Sequence, residues 1–179
     1  MNILLRASIR LLALVPVVTL LFACHGGTPM NVPADPGQRV LAGDRVQVAR
    51  ELTVPADKAS IILQDGRIVS SADRFDASCR FVMKQIRNVP QKIAPEGFLV
   101  TDVRYWEDFV APDYRIPISG GEMITFETTL HLHSDKQPDV HSLVCKHDDE
   151  HNDGLHLRLK EMQQAIGDFA RLIKSEKSK

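Results

Sequence analysis

From Glu122 to His133 the chain alternates with a period of two. Ile124, Phe126, Leu130 and Leu132 fall on even positions with Thr128 among them, and Thr125, Glu127, Thr129, His131 and His133 fall on odd ones. Side chains of a strand point to opposite faces in turn, so this pattern describes a strand with one buried face and one wet face. One-sided sheets of this kind are antiparallel. The strand therefore asks for paired neighbours and an apolar layer beneath it.

The neighbours are legible. Val46, Val48, Leu52 and Val54 recur with period two, interrupted by Arg50 and ended by Pro55, and read as one strand. Ala59, Ile61 and Leu63 form the next, and Asp65-Gly66 is a strong hairpin signal before the return through Arg67-Ile68-Val69. Cys79, Phe81 and Met83 share one face of a further strand. Phe98, Leu99, Val100 and Val103 follow the Pro95-Glu96-Gly97 turn, and Val140 to Lys146 is expected to be the last strand. Tyr105 to Gly121, with Pro112, Pro117 and Gly120-Gly121, reads as a long loop.

The period then lengthens. Leu155, Leu159, Met162, Ile166, Phe169 and Ile173 are three or four apart, the stripe of an amphipathic helix. Asn152 or Asp153 is placed to cap its start, and Lys174, Lys177 and Lys179 suit the dipole at its end. The expected fold is mainly β: an antiparallel β-sandwich or open barrel with one C-terminal amphipathic helix. Its single domain runs over 39–179.

The N-terminus reads as an address. Arg6 and Arg10 precede Leu11 to Phe22, which is apolar but for Thr19. A short basic stretch before such a core is the secretory signal pattern. The run is too short to span a bilayer, and Pro16 suits a signal core better than a stable helix. Leu21-Phe22-Ala23-Cys24 resembles the lipobox of bacterial lipoproteins, with Phe22 bulkier than that family's usual residue. The resemblance implies cleavage after residue 23 and acylation of Cys24, palmitate included. Stable anchoring follows from the two or more chains. The family's sorting rule retains proteins with Asp after the cysteine in the inner membrane. His25 at that position implies the outer membrane, with the domain facing the periplasm. Residues 24–38, rich in Pro and Gly, are expected to be a flexible tether reaching roughly 20 Å as a coil.

Composition narrows the functional classes. Lys+Arg 22 against Asp+Glu 23 leaves a formal net charge of -1, without the basic footprint of a nucleic-acid binder. Aromatic residues are 6%, too few for a stacking platform along single strands. The sequence holds no nucleophile elbow, P-loop, dinucleotide fingerprint or H-E-x-x-H motif, so an enzyme is not expected.

Three features remain as candidate sites. Cys79 and Cys145 are left once Cys24 carries lipid, and two thiols in an oxidising compartment most simply form one disulfide. Six of the seven histidines lie between 131 and 156. His131, His133, His147 and His151, with Asp149 or Glu150, are the candidate ligands of a Zn or Cu site, since imidazole suits both ions. The alternative is a wet strand face followed by a polar loop, with no cofactor. Tyr105, Trp106, Phe109 and Tyr114 cluster in the long loop and read either as a binding surface or as a loop folded over the sheet.

Several short stretches also resemble a family of small, uncharacterised proteobacterial lipoproteins. They are Leu52-Thr53-Val54-Pro55, Gln64-Asp65-Gly66, Cys79, Ile93-Ala94-Pro95-Glu96-Gly97-Phe98, Ser134-Asp135-Lys136-Gln137-Pro138, Leu143-Val144-Cys145 and Ala165-Ile166-Gly167-Asp168. The resemblance implies an all-β domain with paired cysteines and brings no activity. The expected function is an accessory lipoprotein that meets a protein partner of the envelope. The alternative is a small-ligand or Zn/Cu binder, taking a lipid or peptidoglycan fragment in a cleft between sheet and helix.

Overall fold

The computed structural model describes residues 31–110, 123–149 and 154–176. The signal segment, Cys24, Tyr114, His151 and both expected helix caps, Asn152 and Asp153, lie outside the described residues.

The fold is mainly β, a curled antiparallel sheet forming a half-barrel with one short C-terminal helix. The strands are β1 (Arg45–Val48), β2 (Leu52–Val54), β3 (Ser60–Gln64), β4 (Arg67–Val69), β5 (Ser78–Met83), β6 (Gln91–Ile93), β7 (Gly97–Val110), β8 (Met123–His133), β9 (Val140–Asp149) and β10 (Ala170–Ile173). The main sheet runs in the order β10-β1-β7-β8-β9-β5-β3-β4, and β2 pairs with β6 in a separate ladder. Helix α1 (Leu159–Ile166) lies against β3 and β5 and buries Met162, Ala165 and Ile166. The core gathers Phe81, Phe98, Leu63, Leu130 and Leu143 from the sheet with Leu52 and Ile93 from the small ladder. Each such side chain contributes about 1.5–3 kcal/mol by leaving water.

The β8 alternation is realised residue by residue, with Ile124, Phe126, Thr128, Leu130 and Leu132 buried. The Asp65-Gly66 hairpin also stands: both residues have positive φ, and Gln64 pairs with Arg67 across the turn.

Four elements differ from the sequence reading. The single strand expected over Val46–Val54 is two strands in two sheets. Its break is at Ala49-Arg50, whose N–H groups both donate to the carbonyl of Phe169 and turn the chain out of the main sheet. The loop expected from Tyr105 is strand as far as Val110, paired with β8 along its length. The last strand of that region runs on past Lys146 to Asp149. The C-terminal helix is far shorter than its apolar stripe. Gly167 adopts φ +54° and stops it. Residues Ala170–Ile173 then pair antiparallel with β1, so Ile173 belongs to a strand. At the other end Leu155 precedes the helix. Arg158 is its N-cap, and the Glu161 carboxylate accepts the Arg158 N–H at 2.7 Å.

Asp44 ties the chain ends together. This buried carboxylate accepts from the Leu41 N–H, the Ser175 N–H and Lys174 Nζ, each at 2.8 Å. The N-terminal segment is bound to the domain earlier than the tether reading expects. Asn31 accepts the His156 N–H through its carbonyl, and Pro33 is buried.

Candidate functional site

The two cysteines face each other directly across β5 and β9, with Cα atoms 4.0 Å apart, and form the Cys79–Cys145 disulfide. Both are buried.

The histidines are separated by the pleat. His131 and His133 sit on the odd, outward face of β8. His147 pairs with Phe126 in register and lies on the opposite, inward face, its ring stacked on Phe126 at 5.6 Å between centroids. The two faces of a sheet cannot supply one ion, so His131 and His133 do not converge with His147; the fourth expected ligand, His151, lies outside the described residues. No metal-holding group of three His, Cys, Asp or Glu occurs among the described residues. His131 meets His141 instead, with ring centroids 5.2 Å apart, and His133 Nε2 lies 3.3 Å from Asp135 Oδ1. Partial desolvation, His131 and Lys84 together hold His141 below the usual imidazole range.

The histidine that sequence reasoning passed over is His156. It is fully buried beneath the β7–β8 arm, edge-on to Tyr105 and Phe126. Its Nδ1 is 3.3 Å from Thr128 Oγ1, and its Nε2 is 3.4 Å from Glu107 Oε1. That second approach is close without hydrogen-bond geometry, so both atoms are left without a bonded partner. Asn31 Nδ2 donates to the other Glu107 oxygen at 3.2 Å. The order Thr, His, Glu has the chemical types of a nucleophile, base and orienting acid. Thr128 is only 1% exposed, however, so no substrate atom can reach its hydroxyl. The Thr128–His156 contact, the edge-on packing of His156 on Tyr105 and Phe126, and the Asn31–Glu107 bond hold the arm on the segments around residues 156 and 31. The buried Thr128 within an otherwise apolar strand face was the one sequence signal for it.

Burial pushes the pKa of His156 down, against the nearby Glu107 carboxylate, which raises it, and His147 is likewise held down by burial. Both are neutral in the folded protein at pH values where the unfolded chain, with pKa about 6.5, takes up protons. The unfolded state then binds more protons, so this contribution to stability is present above about pH 6.5 and is lost on acidification. Denaturant midpoints should fall between pH 7.5 and pH 5.5, and His156→Gln should flatten that dependence. Equal slopes for parent and variant would show that His156 does not carry it.

Surface clefts among the described residues include two near candidate residues. One of about 380 Å³ lies where β9 meets the helix start and is lined by Phe75, His147, Leu157, Arg158 and Glu161. The other, of about 410 Å³, is lined by Arg87, Pro90, Lys92, Lys136 and Pro138. The Ser134–Gln137 turn is structural: Ser134 Oγ and Gln137 Nε2 each donate to the Glu96 carboxylate at 2.7 Å, which keeps its pKa low.

The aromatic cluster of the sequence is also divided by the pleat. Tyr105 and Phe109 lie on the inward side of the β7 pleat, where Tyr105 is half-buried and Phe109, near the strand's end, is exposed. Trp106 lies on the outward face between Arg104 and Asp108, and it is 59% exposed. Comparison with protein-family models, with curated proteins and with solved structures finds no match for this chain.

Proposed function

We propose that this chain is a lipid-anchored accessory protein of the bacterial envelope, held in the outer membrane through Cys24, facing the periplasm and acting by protein contacts. The observation that carries the contact reading is the outward face of β7, where an exposed Trp106 stands between Arg104 and Asp108. A large aromatic flanked by charge is the usual composition of an interaction hot spot. The anchor reading rests on Leu21-Phe22-Ala23-Cys24 behind the signal core. Seven residues from Cys24 to Asn31 reach at most roughly 25 Å, which keeps the domain beside the bilayer. A second reading, capture of a small amphipathic ligand, is favoured by the cleft beside His147, where apolar Phe75 and Leu157 meet the Arg158 cation.

Cells fed labelled palmitate should yield a labelled, membrane-bound protein, and Cys24→Ala should abolish both properties. A Cys24→Ala protein that is labelled and fractionates like the parent would remove the anchor. A photo-crosslinker at position 106 in intact cells, followed by mass spectrometry, should yield protein adducts. Adducts absent there, with a small molecule co-purifying and lost in His147→Ala, would favour the cleft.

A further inference from the structure

The edge of β7 decides how such a contact could form. On one side β7 pairs with β8 from Leu99 to Val110, with a bulge at Thr101. On the other it pairs with β1 only over Gly97–Leu99, after which Val100 exchanges backbone bonds with Gly43 and Asp44. Beyond Val100 no backbone bond reaches that side of β7 from any described residue.

The direction of each backbone group follows from the ladder. Gln64 and Arg67 flank a two-residue turn and are a bonded pair. Bonded and non-bonded pairs alternate across an antiparallel sheet. Carried through β5, β9 and β8, the alternation bonds Asp102, Arg104, Trp106 and Asp108 to β8. It is consistent with the Asp148 N–H, which points to the β5 side and donates to the Arg74 carbonyl. The N–H and C=O groups of Val103, Tyr105, Glu107 and Phe109 therefore face the open side. Such an edge is a template for another strand; it carries neither Pro nor Lys, its bulge at Thr101 lies at one end of the stretch, and its inward carboxylate, Glu107, is held by Asn31.

We propose that two copies of this chain pair antiparallel through these β7 edges, about a twofold axis at Trp106. The inference rests on the contact reading above. Charge bears on the register of such a pairing. With the axis at Trp106, each Arg104, which already donates to Asp102 of its own strand at 2.9 Å, also faces the partner's Asp108, the two Trp106 rings meet, Val103 faces Phe109 and Tyr105 faces Glu107. An axis at Arg104 sets two guanidinium groups together, one at Tyr105 sets Asp102 against Asp108, and one at Glu107 sets two carboxylates together. An axis at Val103 also avoids like charges, but it pairs only 101–105 of the open stretch, whereas the Trp106 axis pairs 102–110 with no like charges opposite each other. It is also centred within the open stretch 101–110. The contact is isologous and closed, so it ends at a dimer.

Residues at the axis are a directly opposed, non-bonded pair with Cα atoms about 4.5 Å apart, within disulfide reach. Full-length Trp106→Cys expressed in cells should run as a covalent dimer on a non-reducing gel. Arg104→Cys with Asp108→Cys should do the same, while either single variant and the parent should not. Arg104→Asp should weaken the dimer of the detergent-solubilised chain about tenfold, since symmetry removes two pairs at once, and adding Asp108→Arg should restore it. Monomers in both Trp106→Cys and the double-cysteine variant would overturn the dimer, and the second covers a fold lost with Trp106. A crosslink from position 106 to a different protein alone would overturn self-pairing and leave the contact function standing. Loss of all crosslinks would remove both.

Discussion

Replacing Cys79 and Cys145 together by Ala should lower the unfolding free energy by about 4 kcal/mol, the chain-entropy value for a closed loop of this size. The bond closes a sequence separation of 66 residues, so the unfolded chain loses much of its freedom when it is present. In the native protein the two residues are already brought together by the β5–β9 ladder and add little further constraint there. Both cysteines are at most 1% exposed, so a reductant reaches them only through unfolding. Thiol alkylation should accordingly require both reductant and denaturant. Urea titration of the double variant against the oxidised parent measures the difference. A loss below about 1 kcal/mol, far under the loop-closure value, would mean that the unfolded chain is held compact by something other than the disulfide. Two thiols alkylated in the native, unreduced protein would contradict the pairing itself.

The second large effect is expected at Gly167. Its φ of +54° stops α1, and its Cα packs against the hairpin turn, where the Gly66 N–H donates to the Ala165 carbonyl at 3.1 Å. A Cβ at residue 167 would overlap Gly66 Cα, a backbone atom that cannot swing aside. Gly167→Ala should cost about 3 kcal/mol or more, combining backbone strain with overpacking. Gly43 is the control. It also has positive φ, at +97°, but no atom lies within 4 Å of its added Cβ. Gly43→Ala should therefore show the strain of about 1–2 kcal/mol without the clash. Thermal melts of the two variants separate the contributions, and equal losses would show that the glycine–glycine approach is unimportant.

Local periodicity was enough for the strands whose two faces meet different media. β8 was legible residue by residue because one face lies on the core and the other in water. The Asp65-Gly66 hairpin was legible because positive φ at both positions is a local cost that few residue pairs accept. Cys79 and Cys145 could be paired once Cys24 was read as a lipobox cysteine, without any knowledge of register.

Where two elements share a period, or a segment's partner lies far along the chain, local pattern misled. Val46 to Val54 keeps its alternation through a sheet change, because the turn at Ala49-Arg50 is held by the carbonyl of Phe169, more than a hundred residues on. The aromatic stretch Tyr105–Val110 looks like loop because the long β8 strand that pairs with it comes only after the proline-rich stretch. Leu159 to Ile173 carries one apolar stripe, yet Gly167 divides it, and the free edge of β1 takes the remainder as β10.

Sequence alone determined the class of the fold, the core face of β8, the hairpin turn and the cysteine pair, since each follows from local sterics or from counting. Tertiary structure decided which histidines meet. The β8–β9 register sends His131 and His133 outward and His147 inward, and the fold buries His156 against Glu107 and Thr128. Those outcomes depend on pairing across tens of residues. A shift of one residue in a strand exchanges its two faces, so no local pattern could have fixed them.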